Sequence, residues 1–468
     1  MLLLRRLLPL LLPLSALAAP IGEDGARLLL QRTGFGAPPA AIRQLAPLER
    51  AQAVDRVLDE AHHVAQTPPP GWAEQELQLP PRRDMSEEEK KAFQREEQEK
   101  GLALRGWWLQ EMYASHSQIS EKMTLFWHNH FVSALEKVKV PELMYQQNVL
   151  LRRDALGNFA TLLHDVARDP AMLRYLDTAA NRKGQPNENF AREVMELFTL
   201  GEGHYSEQDI REAARAFTGW SLQPGSISFV YRPRQHDDGS KTVFGRSGNF
   251  DGDEVLDLLL ARPETSRFIT RKLWLYLVSP QVDEQKVQQL AASFARDYEI
   301  KPLLRKLLLS DAFWRSAGQQ VKSPLELTVG TLRTFEQPAP DWRALAVLNR
   351  GMGQDVFNPP NVRGWPGGEA WINSATLLAR KQFLDRLWRD GGNRPAMDPA
   401  ARPLEKRAER SMNQLVLPAD DWLQGTGLSM AQLPHYLLAL PPTQPLAANL
   451  PASQTLRALL MDPAYQVE

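Results

Sequence analysis

Asn187-Glu188-Asn189-Phe190-Ala191-Arg192-Glu193-Val194-Met195-Glu196-Leu197-Phe198-Thr199-Leu200-Gly201 is the stretch that decides the fold class. Phe190, Val194, Leu197 and Phe198 recur at helical spacing and make one apolar stripe. Gly201 stands where a helix takes its C′ glycine, so the spacing predicts a helix over 187–200. Just beyond it, Ser206 and Asp209 form a capping box, with Asp in place of the usual Glu or Gln. They open a second helix that stops near Gly219. Upstream, 101–131 holds two more helical stretches, with Trp107, Trp108, Met112, Met123, Phe126 and Trp127 on their apolar faces. The stripes at 118–131, 187–200 and 207–219 are the strongest in the chain, and these helices are expected to pack on one another.

Helical periodicity covers most of the remainder. The exception is 226–245, where Ile227-Ser228-Phe229-Val230-Tyr231 is β-prone and Asp238-Gly239 is a hairpin turn signal. Thr242-Val243-Phe244 supplies a return strand. The expected fold is therefore mainly α, a large multi-helix globular unit with a small β-hairpin near 226–245. From 64 to 100 the pattern gives way to Pro68-Pro69-Pro70-Gly71, Pro80-Pro81 and a charge run at 87–100. That segment reads as a charged, Pro-flanked insertion in a single helical domain over 20–468. Its charge run is either a solvated helix or disordered. One device recurs at Asp169-Pro170-Ala171, Ser310-Asp311-Ala312 and Asp462-Pro463-Ala464. An apolar helix end is followed by Asp and then one or two small residues or Pro, which reads as a helix stop.

Residues 1–19 have the order of a secretory signal peptide: Arg5-Arg6, an apolar run at 7–14, and Ala16-Leu17-Ala18 as a small-x-small cleavage site. Cleavage is expected after Ala18 or Ala19, and the destination is the periplasm or the extracellular space. Pro9 and Pro13 interrupt the run, which is shorter than the roughly 20 residues of a membrane span. The chain has no cysteine, which excludes disulfides, thiolate metal sites and thiol catalysis. Lys and Arg number 55 against 56 Asp and Glu. Without Arg5 and Arg6 the count is 53 to 56, about −3, so no general attraction to nucleic acid follows.

Four segments carry residues suited to chemistry. Glu193 and Glu196 stand one turn apart on the 187–200 helix, and Glu188, Arg192 and Glu196 follow at i,i+4. They read either as an ion-paired surface or as carboxylates that share a metal or a proton. His128 and His130, in Phe126-Trp127-His128-Asn129-His130-Phe131, point apart on a helix, so one is expected to be buried. His236-Asp237 precedes the predicted turn and reads as a polar turn or as a loop over a site. The Gly- and Pro-rich stretch at 357–373 carries Arg363, Trp365 and Trp371, either as a platform for a sugar or peptide or as loop packing. The sharpest arrangement has one histidine of the 128–130 pair, with Glu193 and Glu196, lining a polar cleft capped by His236-Asp237, and Glu193, Glu196, His236 and Asp237 are the candidate catalytic groups. His128, His130 and Glu193 are the candidate ligands of a divalent cation such as Zn, Mn or Fe. No phosphate-binding loop, dinucleotide fingerprint, zincin helix or nucleophile elbow occurs in its expected context.

Taken in order, these segments resemble a known family. They are Gly34-Phe35-Gly36, the 126–131 run, Asn187 to Gly201 with Tyr205, Ala214-Arg215-Ala216-Phe217-Thr218-Gly219-Trp220, His236-Asp237, Lys322-Ser323-Pro324 and Gly364-Trp365-Pro366-Gly367-Gly368. The family is the bacterial one catalogued as domain of unknown function 1800, and the match runs over nearly the whole mature chain. The resemblance implies an exported protein of the envelope. It also implies a sulfatase-like exported partner, catalogued as domain of unknown function 1501. It supplies no reaction. Two classes of function follow as expectations. One is a binding or maturation module that acts with that partner. The other is a metal-dependent or acid–base enzyme acting on an envelope polymer or surface protein.

Overall fold

A computed structural model describes residues 19–75, 77, 85–225, 227–388, 403–447 and 449–468. The signal-peptide reading falls, but for Ala19, on residues outside that set. Among the described residues, twenty-three α-helices carry the fold, with two two-stranded antiparallel sheets as the only paired strands. The mainly α expectation holds. No helix of the described residues is long and apolar enough to cross a membrane.

The predicted trio of helices packs in series. Phe131, which follows the helix Gln118–His130, meets Phe198 edge-on at 5.2 Å. Phe190 meets Phe217, at the end of Glu207–Ala216, at 4.9 Å. The 187–200 stretch is therefore the middle layer. It begins as the α-helix Glu188–Glu193, capped by the Asn187 side chain, and continues as a π-helical turn over Val194–Thr199. Gly201 follows with φ +81°, as its C′ position requires. The Ser206–Asp209 box is present in both directions, with bonds of 2.9 and 3.2 Å. A second π turn, Trp274–Val278, extends the helix Pro263–Leu273. One contiguous apolar cluster runs from Ala26 to Tyr465 through these helices.

One local expectation changes, and one open alternative is decided. The strands near 226–245 do not pair with each other. Phe229–Tyr231 pairs with Trp220–Leu222, and Lys241–Val243 pairs with Arg246–Gly248 across Phe244-Gly245. Asp238 and Gly239 are held instead by Lys183 and by the Asp237 side chain. The charge run at 87–100 is the solvated first half of one helix, Glu87–Ala114, opened by a Ser86–Glu89 capping box. Its second half is core, with Leu104, Trp108, Leu109 and Met112 fully enclosed. Residues 66 and 67 dock on that helix, their backbone N–H groups donating to the Glu111 carboxylate at 2.9 and 2.6 Å.

Candidate functional site

The end of Gln118–His130 gathers three polar side chains in succession. Successive residues of a helix point about 100° apart, so His128, Asn129 and His130 reach three different segments. His128 Nε2 accepts from the Phe357 N–H at 3.1 Å. Asn129 Oδ1 accepts from the Trp365 N–H at 2.7 Å, and its amide donates back to the Trp365 carbonyl at 3.3 Å. Gly364 has φ +81°, and a Cβ there would lie 2.2 Å from Asn129 Oδ1, so only glycine allows this approach. His130 donates from Nε2 to the Phe198 carbonyl at 3.1 Å and accepts at Nδ1 from Lys272 Nζ at 2.8 Å.

Both histidines are buried, not one, because neighbours surround this helix on every side. Burial drives the His128 pKa down to about 3. Burial and the Lys272 charge hold His130 well below its usual value. Both rings are therefore neutral. Burial also lowers the Lys272 ammonium to about 8. The Phe198 carbonyl lies in one π turn, and Lys272 lies two residues before the other. Such turns occur frequently at functional sites.

Lys272 and His130 lie in the wall of a cleft of about 700 Å³. The Trp365–Gly368 loop and Trp371 form one side, Leu275 and Tyr276 another, and Ser323 and Glu326 the floor. Ser323 and Glu326 are the capping box of the helix Pro324–Thr334, with Pro324 in its first turn. Glu326 is ion-paired to the buried Lys122. Burial raises the Glu326 carboxyl, but Lys122 and the Ser323 N–H outweigh it and hold it below its usual range. Trp365 and Trp371 are 6% and 8% exposed, so they present edges to the cleft and are not open stacking platforms.

The carboxylates read from sequence lie elsewhere. Arg363 is exposed and pairs with Glu196 and Glu202, each at 2.8 Å. Glu196 also accepts from the Tyr205 hydroxyl. Glu193 is half-buried, and burial, then the charge of Glu196, raises its pKa. Arg192 pairs with Glu188 as expected, but its second partner is Glu207, not Glu196. His236 Nδ1 is bonded to the Thr218 carbonyl at 2.9 Å. Asp237 takes the Arg215 guanidinium at 2.8 and 3.2 Å, and that pairing holds its pKa down to about 2.

No hydrogen bond or ion pair joins Glu193 or Glu196 to His128, His130, His236 or Asp237 among the described residues. The metal set of His128, His130 and Glu193 is not assembled either. No three His, Asp or Glu side chains among the described residues are placed to share a cation. His130 commits both ring nitrogens to protein partners and His128 commits its Nε2, and among the described residues no carboxylate is hydrogen-bonded to either ring. Of the candidates read from sequence, His130, Arg363, Trp365 and Trp371 come together at the cleft, and the others do not. Lys272, Tyr276 and Glu326 were not legible as site residues. Only the Ser-Pro-x-Glu cap carried a local signal.

No curated protein and no solved structure matches the chain. The family described as "Protein of unknown function (DUF1800)" matches residues 28–467. With nearly all of its length covered by that match, the chain belongs to the DUF1800 family.

Proposed function

We propose that this protein is an exported envelope module that binds a ligand in the cleft beside His130, and that it acts with the sulfatase-like exported protein the resemblance implies. One observation carries the reading. Three segments that bear the family resemblance, at 126–131, 322–324 and 364–368, lie far apart in the chain yet line one cavity. Packing alone asks for apolar contact. Here the segments enclose a cavity within the range of small-ligand sites, with apolar walls and a few polar groups. The enzyme reading keeps only an acid–base form, on the Lys272–His130 pair, since its metal ligands are not gathered.

Leu275 is an exposed apolar residue of the cleft wall, 37% accessible. Leu275→Trp should fill the cleft, leave the melting temperature near that of the wild type and abolish capture of the sulfatase-like partner or its ligand. Equal capture by both proteins would sink the reading. Export has its own test. A chain lacking residues 1–19 should stay in the cytoplasm, and its appearance in the periplasm or medium would refute the signal peptide.

A further inference from the structure

Resting on that cleft-binding reading, we propose that the cleft takes a small organic anion, one bearing a carboxylate, sulfate or phosphate group, and that Lys272 is its anchor. The argument is one of unmatched charge. Lys272 Nζ makes one protein hydrogen bond, to His130 Nδ1, and His130 is neutral with its other nitrogen committed to the Phe198 carbonyl. The Phe268 ring lies under the ammonium at 5.4 Å. Among the described residues no carboxylate stands within ion-pair distance of Lys272. Lys272 is partly buried, and a charge drawn out of water is normally paired, since a lone one forfeits hydration.

Two other cations beside the cleft, Lys122 and Arg363, are already matched. Lys122 is held by Glu326 and by Glu468 at 3.6 Å, and Arg363 by Glu196 and Glu202. Tyr276 donates to the Lys122 carbonyl. Glu369 lies on the exposed rim. Lys272 is thus the cation left with N–H donors to spare. It faces a cavity walled by Phe126, Leu275 and Trp365, where low polarity strengthens a bond to an anion. The lowered pKa of about 8 fits an ammonium without a counter-ion and still leaves it mostly charged at neutral pH.

The test uses the mature chain and matched probes at millimolar concentration: glucuronate against glucose, benzoate and benzenesulfonate against benzamide, and inorganic phosphate. Binding is read by calorimetry. Site occupancy is read by the rate of Lys272 acetylation with acetic anhydride, followed by peptide mass spectrometry. At least one organic acid should bind and slow acetylation of Lys272, while its neutral counterpart does neither. Lys272→Met should weaken that acid about tenfold or more, the size of a lost charge-assisted hydrogen bond. It should leave the melting temperature equal or higher, and Lys272→Arg should keep part of the affinity. The anion proposal falls if no organic acid protects Lys272, if neutral probes bind as well as acids, or if Lys272→Met binds acids unchanged. Leu275→Trp separates the two readings. If it abolishes probe binding while Lys272→Met does not, the cleft stands and the anion anchor falls. If Leu275→Trp changes nothing, both fall.

Discussion

His128, Asn129 and His130 are consecutive, yet each fastens a segment from a different part of the chain: Phe357, Trp365, and Phe198 with Lys272. The buried imidazoles have a consequence for acid stability. Both histidines titrate near 6.5 when unfolded, and both lie below that when folded, His128 at about 3. Between those values the unfolded chain binds more protons. The stabilisation is therefore complete above about pH 6.5 and is lost as pH falls, by about 1.4 kcal/mol per pH unit for each histidine. Urea unfolding from neutral pH down to about pH 4 should show that slope. His128→Gln, which keeps an acceptor for the Phe357 N–H, should reduce it by one histidine's share. An unchanged slope would mean that His128 is already charged in the folded protein. His-x-His left two roles open in the sequence, ligand or structural bond, and the bonds these rings make are to partners none of which lies within sixty residues.

At the scale of elements, caps and stops were the most legible features. At each of these stops a polar residue ends one helix and caps the next, Asp169 and Asp462 at the Asp itself and Ser310 one place before Asp311. Asp169 accepts from the Met172 N–H, Ser310 from Phe313 and Asp462 from Ala464, opening Pro170–Tyr175, Asp311–Trp314 and Pro463–Gln466. The loop at 357–373 was less legible. Its tryptophans suited both stacking and packing, and the same amphipathic ring serves either role. Trp365 packs against His128 with ring centroids 5.7 Å apart and is clamped through its backbone by Asn129. Trp365→Ala should therefore lower global stability by about 3–5 kcal/mol, as large-to-small core changes do. A variant that melts with the wild type but no longer binds ligand would restore the stacking role. The π turns escaped the reading altogether. Val194–Thr199 has an ordinary helical stripe, and the wider turn shifts Phe198 to where its carbonyl meets His130.

Over the whole molecule, Arg32 shows how distant parts are bound into one body. It is fully buried at the end of the helix Gly22–Thr33. It donates to the carbonyls of Leu277, Val278, Ser316 and Glu468 at 2.8 to 3.2 Å. Arg32→Met takes this donor from the Leu277 and Val278 carbonyls, each costing about 1–3 kcal/mol if unmet, while the Ser316 and Glu468 carbonyls keep backbone N–H donors. Thermal unfolding should move down as a single transition. Two separated transitions would show that the first helices and the last segment fold independently. The amino-acid order by itself determined the helical class, the caps, the stops and the β-prone strands. Those features depend on groups within about one turn of each other, which the chain holds close whatever its fold. Partner choice was decided only in three dimensions. Lys272 lies 142 residues from His130, and Trp365 lies 236 from Asn129. Arg363 finds Glu196 across the fold, in place of the nearer Arg192. A charged side chain takes whichever opposite charge packing brings within reach, and no local pattern records that distance. The cleft and its unmatched ammonium are therefore properties of the packed molecule, assembled from helices whose own sequences marked only their apolar faces.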